Sequence, residues 1–256
     1  MGNLDPDAIA AAAGLIARAH AAWALTGAGV STPSGIPDFR GPDGLWAKYD
    51  PERFSSLSAF LENPREFFDF WIWRFEKMRA AAPNPVHEFL AWLEARGMLK
   101  GVITQNIDGL HQAAGSRRVL EVHGSAMSGT CLECGRRYPL EWMAERARRD
   151  GVPRCEVCGG LVKPDVVLFG ESLTRDFQVA QAEVIGADLL LVLGTSLAIW
   201  PVAGLVPLAA QHGARIIMAN RDPTPYDDLA QVVLRGELVE IVGALRAALE
   251  GEDDRA

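Results

Sequence analysis

Five short apolar runs, Trp23–Leu25, Gly101–Thr104, Val166–Phe169, Leu189–Leu193 and Arg215–Met218, recur between stretches with helical spacing. Runs of this length read as strands. Strands that alternate with helices need crossovers, and crossovers place helices over both faces of a mostly parallel sheet. The helices expected are residues 5–20, with Asp5 as cap and Pro6 in the first turn, Pro85–Arg96 and Glu237–Leu249. Val119–Val122 also reads as strand-like, and the expected class is α/β. With 49% of its 256 residues apolar, the chain has enough core for one large domain or one domain carrying an insert.

A net charge of −8 argues against a general nucleic-acid binder and fits a protein that attracts basic, lysine-rich partners. No apolar run approaches the roughly 20 residues of a membrane helix. The first residues lack the basic start and apolar centre of a signal peptide, and Pro6 stands where a myristoylation motif needs Ser or Thr. A cytoplasmic protein is expected.

Two segments break the strand–helix rhythm. In Asn63–Arg79, Asn63 and Glu66 form a capping-box pattern around Pro64, and Phe67, Phe70, Trp71, Phe75 and Met78 share one helical face. The second segment holds the only four cysteines, Cys131, Cys134, Cys155 and Cys158, spaced as CxxC, twenty residues, CxxC. Two close thiolate pairs brought together make a tetrahedral sulfur site, the geometry of structural Zn²⁺, with Gly135 and Gly159–Gly160 supplying the turns. Two disulfides are the alternative, and four thiolates leave no open position for catalytic zinc. The arginines at 136, 137, 146, 148, 149 and 154 lie in this segment among acids. They read either as a solvated face or as a ribbon gripping nucleic acid. The two segments together can form a smaller module. The boundaries expected are 1–45, 80–127 and 166–256 for a large domain, and 46–79 with 128–165 for a small one.

The polar chemistry gathers at strand ends. After the first strand comes TGAGVSTPSGIPDFRG, Thr26–Gly41. It is similar to a dinucleotide fingerprint, but Thr32 replaces the third glycine, and no acid ends a second strand clearly. Free backbone N–H groups and the hydroxyls of Ser31, Thr32 and Ser34 suit a diphosphate. TQNIDGLH, Thr104–His111, and GTS, Gly194–Ser196, follow two further strands, and open α/β sheets bind ligands at that end. His123, in LEVHGS, stands just before the cysteine module, where a cleft between two domains would form. Its ordinary pKa suits a base at neutral pH. A structural histidine is the alternative.

These motifs, with the VHG around His123, the CxxC pairs, KPDVVLFGE (Lys163–Glu171) and GTSL, occur in the order found in the sirtuins, and from about residue 20 to 222 the chain resembles that family of NAD-dependent protein lysine deacylases. The resemblance implies an inverted Rossmann-like sheet and a small helical domain with a zinc ribbon, with NAD and acyl-lysine meeting between them. It implies that Ala28, Gly29 and Ser31 approach the phosphates, with Gly27 and Asp38 completing that part of the cofactor site. Phe39 would cover the nicotinamide pocket and Arg40 would lie near the diphosphate. Gln105 and Asn106 would contact the nicotinamide-side ribose, and Ile107 and Asp108 would hold the carboxamide. Gly194, Thr195, Ser196 and Asn220 would hold the adenosine half, with Leu238 at the adenine edge. His123 would be the catalytic base, with Asn106 also at the catalytic centre. The peptide would bind as an added strand between Val166–Gly170 and the segment after Gly194, touching Val166, Val167, Phe169, Gly170 and Glu171, with loose sequence preference. The four cysteines would hold one structural zinc.

Trp71 and Arg74 share a helical face that is otherwise apolar. Sirtuins that remove acidic acyl groups carry Tyr-x-x-Arg in this region, and here Trp71 takes the place of the tyrosine. Arg74 would otherwise snorkel or pair with Asp69 or Glu76. Deacetylation is the expected activity, with desuccinylation or demalonylation as the alternative. An NAD oxidoreductase and a non-catalytic zinc-ribbon module are the readings from other classes.

Overall fold

The computed structural model describes residues 4–38, 44 and 49–253. Six strands form one parallel sheet in the order β3-β2-β1-β7-β8-β9. These are β1 (Ala22–Thr26), β2 (Gly101–Thr104), β3 (Val119–Glu121), β7 (Leu189–Leu193), β8 (Arg215–Asn220) and β9 (Val232–Arg235). From β1 the chain builds outward through β2 and β3 on one side, and from β7 through β8 and β9 on the other. The strand order therefore reverses between β1 and β7, and open α/β sheets bind ligands at the carboxyl ends beside such a switch point.

Every residue of β1 and β7 is buried, as the continuous apolar runs require of a sheet covered on both faces. Alternate side chains feed two cores. Ala22, Ala24, Leu189, Leu191 and Leu193 pack with helices α1 (Pro6–Arg18), α5 (Pro85–Ala95) and α10 (Leu238–Asp253). Trp23, Leu25, Leu190 and Val192 pack on the other face against α8 (Arg175–Ile185) and α9 (Leu205–Gln211). Asp5 caps α1 through its carboxylate, which accepts from the Asp7 amide, and Pro6 opens the helix. No helix among the described residues is long and apolar enough to cross a membrane.

A second sheet of three strands has the order β5-β4-β6, with β4 (Gly124–Cys131) antiparallel to both β5 (Arg137–Pro139) and β6 (Val162–Val166). The two segments that interrupt the strand–helix rhythm share one core here. Phe60 of α3 (Leu57–Glu62) and Phe67, Phe70, Trp71, Phe75 and Met78 of α4 (Pro64–Ala80) pack in one cluster with Tyr138, Val162 and Leu140, Met143 and Ala147 of α7 (Leu140–Asp150). In α4 the Asn63 side chain accepts from the Glu66 amide, but the Glu66 carboxylate meets the Asn63 side-chain amide at 3.2 Å rather than its backbone, so the expected box is half made.

One strand expectation is corrected. Val166–Phe169 does not join the parallel sheet, because β6 ends at Val166 and pairs with β4. From Val162 to Leu168 burial alternates residue by residue, the pattern of a strand with one wet face. Beyond it, the Val167 amide donates to the His123 carbonyl and the Phe169 amide to the Ser55 carbonyl. The run therefore leaves the ribbon to border the crevice.

Candidate active site

Gly27 and Gly29 follow β1, and Gly194 follows β7. The two turns touch: the Gly27 amide donates to the Leu193 carbonyl at 3.2 Å and the Gly29 amide to the Gly194 carbonyl at 2.8 Å. A methyl group on Gly29 would come within 2.9 Å of the Gly194 Cα, and Gly194 itself has φ of 60°, so side chains here would push the turns apart. The glycines thus join the two loops at the switch point. Of the three amides expected to face a phosphate, those of Gly29 and Ser31 donate to the Gly194 and Ala28 carbonyls.

Behind the turn lies a buried polar network. The Ser31 hydroxyl donates to Asp108 Oδ2 at 2.7 Å and accepts from Asn106 Nδ2 at 3.0 Å. Asn106 Nδ2 also donates to the Gly27 carbonyl, while Asp108 Oδ1 accepts from the Leu110 amide. His87 Nδ1 accepts the Asn84 amide proton, so its other nitrogen is the protonated one and lies 3.5 Å from the Ser31 hydroxyl. The His87 ring meets His111 edge-on at 4.9 Å, and His111 Nε2 lies 3.0 Å from the Thr26 hydroxyl. Burial lowers the pKa of His87, offset in part by the Asp108 carboxylate, and lowers that of His111 to about 3. Both rings are neutral at pH 7. Sequence reasoning assigned no role to Asn84, His87 or His111. The only signal was His111 closing TQNIDGLH and His87 sitting inside an otherwise ordinary amphipathic helix.

Gln105 crosses the crevice mouth, its amide donating to Thr195 Oγ1 at 2.9 Å. Its carbonyl lies 3.1 Å from His123 Nδ1. A carbonyl can only accept, so Nδ1 carries the proton and Nε2 keeps its lone pair. Burial lowers the His123 pKa below its ordinary 6.5, with the Gln105 carbonyl pulling the other way.

These groups border one cleft of about 750 Å³, lined by Gly27, Ala28, Gly29, Ser31, Asp38, Gln105, Asn106, Ile107, Asp108, His123, Gly194, Thr195, Ser196, Asn220 and Leu238. The same cleft is bordered by Trp71, Arg74, Val166, Val167, Phe169, Gly170 and Glu171. Phe39 and Arg40 fall outside the described residues. Arg74 is only 4% exposed, so it does not snorkel; its guanidinium lies 4.8 Å from the Trp71 ring centroid, and burial lowers its pKa to about 9. Asp69 and Glu76 pair instead with Arg65 and Arg148. Trp71 is itself committed, donating its indole N–H to the Phe54 carbonyl.

In the ribbon, the Sγ atoms of Cys131, Cys134, Cys155 and Cys158 all lie within 4.8 Å of one another. The Cys131–Cys158 and Cys134–Cys155 sulfurs are 3.4 and 3.5 Å apart and unbonded. Zn–S bonds of ~2.3 Å put tetrahedral sulfurs about 3.8 Å apart, so the donor set fits zinc. Gly135 and Gly159, at φ of 72° and 75°, return their amides to the Cys131 and Cys155 carbonyls and form two matching knuckles. The Tyr138 hydroxyl lies 3.1 Å from Cys155 Sγ and accepts from the Glu156 amide, so its proton is directed at the sulfur. The nearby arginines are largely neutralised: Arg146 pairs with Asp150 and Glu156, Arg148 with Glu76, Arg149 with Asp150 and Arg137 with Asp165.

A parallel sheet with a cleft at its switch point, beside a separate four-thiol ribbon, defines an α/β protein with room for a nucleotide-sized ligand at the carboxyl ends of its strands. Residues 27–201 match the model of the Sir2 family. The chain is 44% identical over 254 residues to the NAD-dependent protein deacetylase 1 of Pyrobaculum aerophilum, covering 97% of this chain and 98% of that protein. It is 46% identical to the NAD-dependent protein deacylase 2 of Archaeoglobus fulgidus, over 92% of this chain and 94% of that one. A solved structure described as "Structural Basis for the Mechanism and Regulation of Sir2 Enzymes" superposes with a TM-score of 0.90 at 44% identity, covering 97% of this chain and 100% of that one. A Sir2 complex with p53 peptide and NAD⁺ superposes at 0.85 with 38% identity, covering 93% and 96%. The chain belongs to the Sir2 family.

Proposed function

We propose that the protein removes acetyl groups from protein lysines in an NAD-dependent reaction whose products are nicotinamide, 2′-O-acetyl-ADP-ribose and free lysine. The observation that carries this reading is the convergence of the Gly27–Ser31 turn, the Gln105–Asp108 segment, Gly194–Ser196 and His123 on one cleft. The names of the relatives agree with it, and one solved relative holds a deacetylated p53 peptide with 3′-O-acetyl-ADP-ribose.

Bound NAD⁺ would supply a ribose carbon made electrophilic by departure of nicotinamide, and the ribose hydroxyls that receive the acetyl group. Ala28, Gly29 and Ser31 would face the diphosphate from the β1 turn, with Gly27 and Asp38 beside them, and Gly194, Thr195, Ser196, Asn220 and Leu238 the adenosine half. Gln105 and Asn106 would hold the reactive ribose, and Ile107 and Asp108 the carboxamide. Asp108 is fixed for that task by Ser31 and Leu110. His123, held as the Nδ1–H tautomer by Gln105, would take the ribose hydroxyl proton on Nε2 as that oxygen attacks the acyl carbon.

The acyl-lysine peptide would bind as a strand along Val166, Val167, Phe169, Gly170 and Glu171. The Phe169 amide and carbonyl already bond Ser55 and Leu57 and the Glu171 amide bonds the Leu168 carbonyl, so main-chain pairing would use the other backbone groups of this segment. Zinc held by the four cysteines would fix the ribbon and stay outside the chemistry. Residues 1–45, 80–127 and 166–256 would form the large domain and 46–79 with 128–165 the small one. The setting would be cytoplasmic, with no nucleic-acid partner.

The test is nicotinamide release measured by mass spectrometry with NAD⁺ and an acetyl-lysine peptide. Release that needs both reactants and disappears in His123→Ala supports the reading. Appearance of reduced cofactor at 340 nm supports an oxidoreductase instead.

A further inference from the structure

The segment that borders the cleft after β6 is tied at four points. Its Val167 amide donates to the His123 carbonyl at 2.8 Å, and Phe169 bridges Ser56 with hydrogen bonds to Ser55 and Leu57. Gly170, at φ of 92°, turns the chain back, and the Glu171 amide donates to the Leu168 carbonyl. The Glu171 carboxylate then accepts from the Leu168 amide at 2.8 Å and from Lys163 Nζ at 2.9 Å. Lys163 also donates to the Val166 carbonyl at 2.8 Å. The Lys163 and Glu171 side chains are 11% and 25% exposed, so the pair is partly shielded from water. One short segment therefore joins the backbone of the proposed base, the helical insert and the zinc ribbon, and a single ion pair closes it.

We infer that Lys163 is a positioning residue: through Glu171 it holds Gly170 and Glu171 in the conformation that pairs with the substrate peptide. The inference rests on the proposed deacetylase reading. Lys163 touches neither NAD⁺ nor the reacting atoms in that reading, so losing it should act on peptide binding more than on NAD⁺ binding. Without the ammonium, Glu171 keeps a neutral partner at Leu168 but loses the charge that anchors it to β6, and the Gly170 turn gains freedom. The peptide must then order that turn as it binds.

The experiment compares wild type, Lys163→Met, Lys163→Arg, Glu171→Gln and the Met/Gln double variant. Binding of an acetyl-lysine peptide is read by fluorescence anisotropy, and KM for peptide and for NAD⁺ by nicotinamide release. Zinc content and melting temperature verify folding. Lys163→Met should weaken peptide binding and raise peptide KM about 10-fold, within the range of coupled neighbours. NAD⁺ KM should stay within about 2-fold, and Lys163→Arg should recover most of the loss. In the Glu171→Gln background, Lys163→Met should add little, since both act through one contact. Equal rises in both KM values, an unchanged peptide affinity, or fully additive effects would overturn the inference. A wild-type protein that releases no nicotinamide would instead overturn the deacetylase reading, while the anisotropy comparison still tests the strap.

Discussion

His123 Nδ1 lies 3.1 Å from the Gln105 carbonyl oxygen, and that contact fixes which imidazole nitrogen is free to accept a proton. Gln105 belongs to the loop after β2 and His123 to the turn after β3, so two adjacent strands set the tautomer between them. Removing the imidazole with His123→Ala should lower turnover by about 10²–10⁴-fold, the usual worth of a positioned base. Zinc content and melting temperature should hold, because the carbonyl that pairs with Val167 belongs to the backbone. Steady-state kinetics with a melting curve checks this, and a variant retaining more than a tenth of wild-type turnover contradicts it.

A base must be unprotonated to act, and burial lowers the His123 pKa from 6.5. Activity should therefore persist below pH 6.5 and fall only as pH drops through the lowered value. The pH profile of kcat/KM on an acid-stable peptide is the measurement. An acid limb centred above 6.5 would be inconsistent with the buried site.

The same sign governs stability. His87, His111 and His123 all have folded pKa values below 6.5. Above pH 6.5 neither state binds the extra protons, and the stabilising preference for neutral rings is fully present. Below 6.5 the unfolded chain binds protons that the folded chain refuses, so stability falls by roughly 1 kcal/mol per pH unit for each such ring. For His111 the loss continues to about pH 3. Urea midpoints between pH 7 and 4 should decrease steadily, and His111→Gln should flatten the slope.

Gly29 and Gly194 stand where the two central loops touch. Gly29→Ala places a methyl group 2.9 Å from the Gly194 Cα, and Gly194→Ala meets both the Val30 amide nitrogen at 2.7 Å and a left-handed backbone. Each should destabilise the fold by about 1–3 kcal/mol and weaken NAD⁺ binding, read by calorimetry. Gly35→Ala, strained by its φ of 82° but with open space around it, should lose stability without a matching loss of NAD⁺ affinity.

Tyr138 directs its hydroxyl at Cys155 Sγ. Tyr138→Phe keeps the ring stacked on Trp142 but removes that donor, and should weaken zinc retention by about 10–100-fold. Competition with a chromogenic chelator measures it. Wild type should carry one zinc per chain and lose the ribbon's protection from proteolysis when stripped.

Arg74 lies beside Trp71 and borders the cleft. Acetyl-lysine peptides should turn over faster than succinyl-lysine peptides. The opposite order, abolished by Arg74→Ala, would make acidic acyl groups the substrate.

Continuous apolar runs made β1, β7 and β8 legible, since strands buried on both faces carry no polar interruption. Val166–Phe169 looked the same in composition, yet its burial alternates, and only pairing with β4 shows which face is wet. β9 escaped notice because Val232–Arg235 is a half-exposed edge strand. At the site, residue types announced His123, the Gln105–Asp108 segment and the cysteines. His87 and His111 did not stand out, because their meaning comes from a 4.9 Å ring contact between residues far apart in the chain. The Lys163–Glu171 pair was hidden for a similar reason: nothing in KPDVVLFGE shows that the chain folds back on itself.

The most direct measurement follows a ¹³C-labelled acetyl group on a lysine peptide incubated with NAD⁺ and the protein. One cleft that holds dinucleotide, acyl-lysine and His123 together should pass the label to ADP-ribose, in amounts equal to the nicotinamide and free lysine formed. Label appearing first as free acetate, or lysine released without nicotinamide, would contradict it.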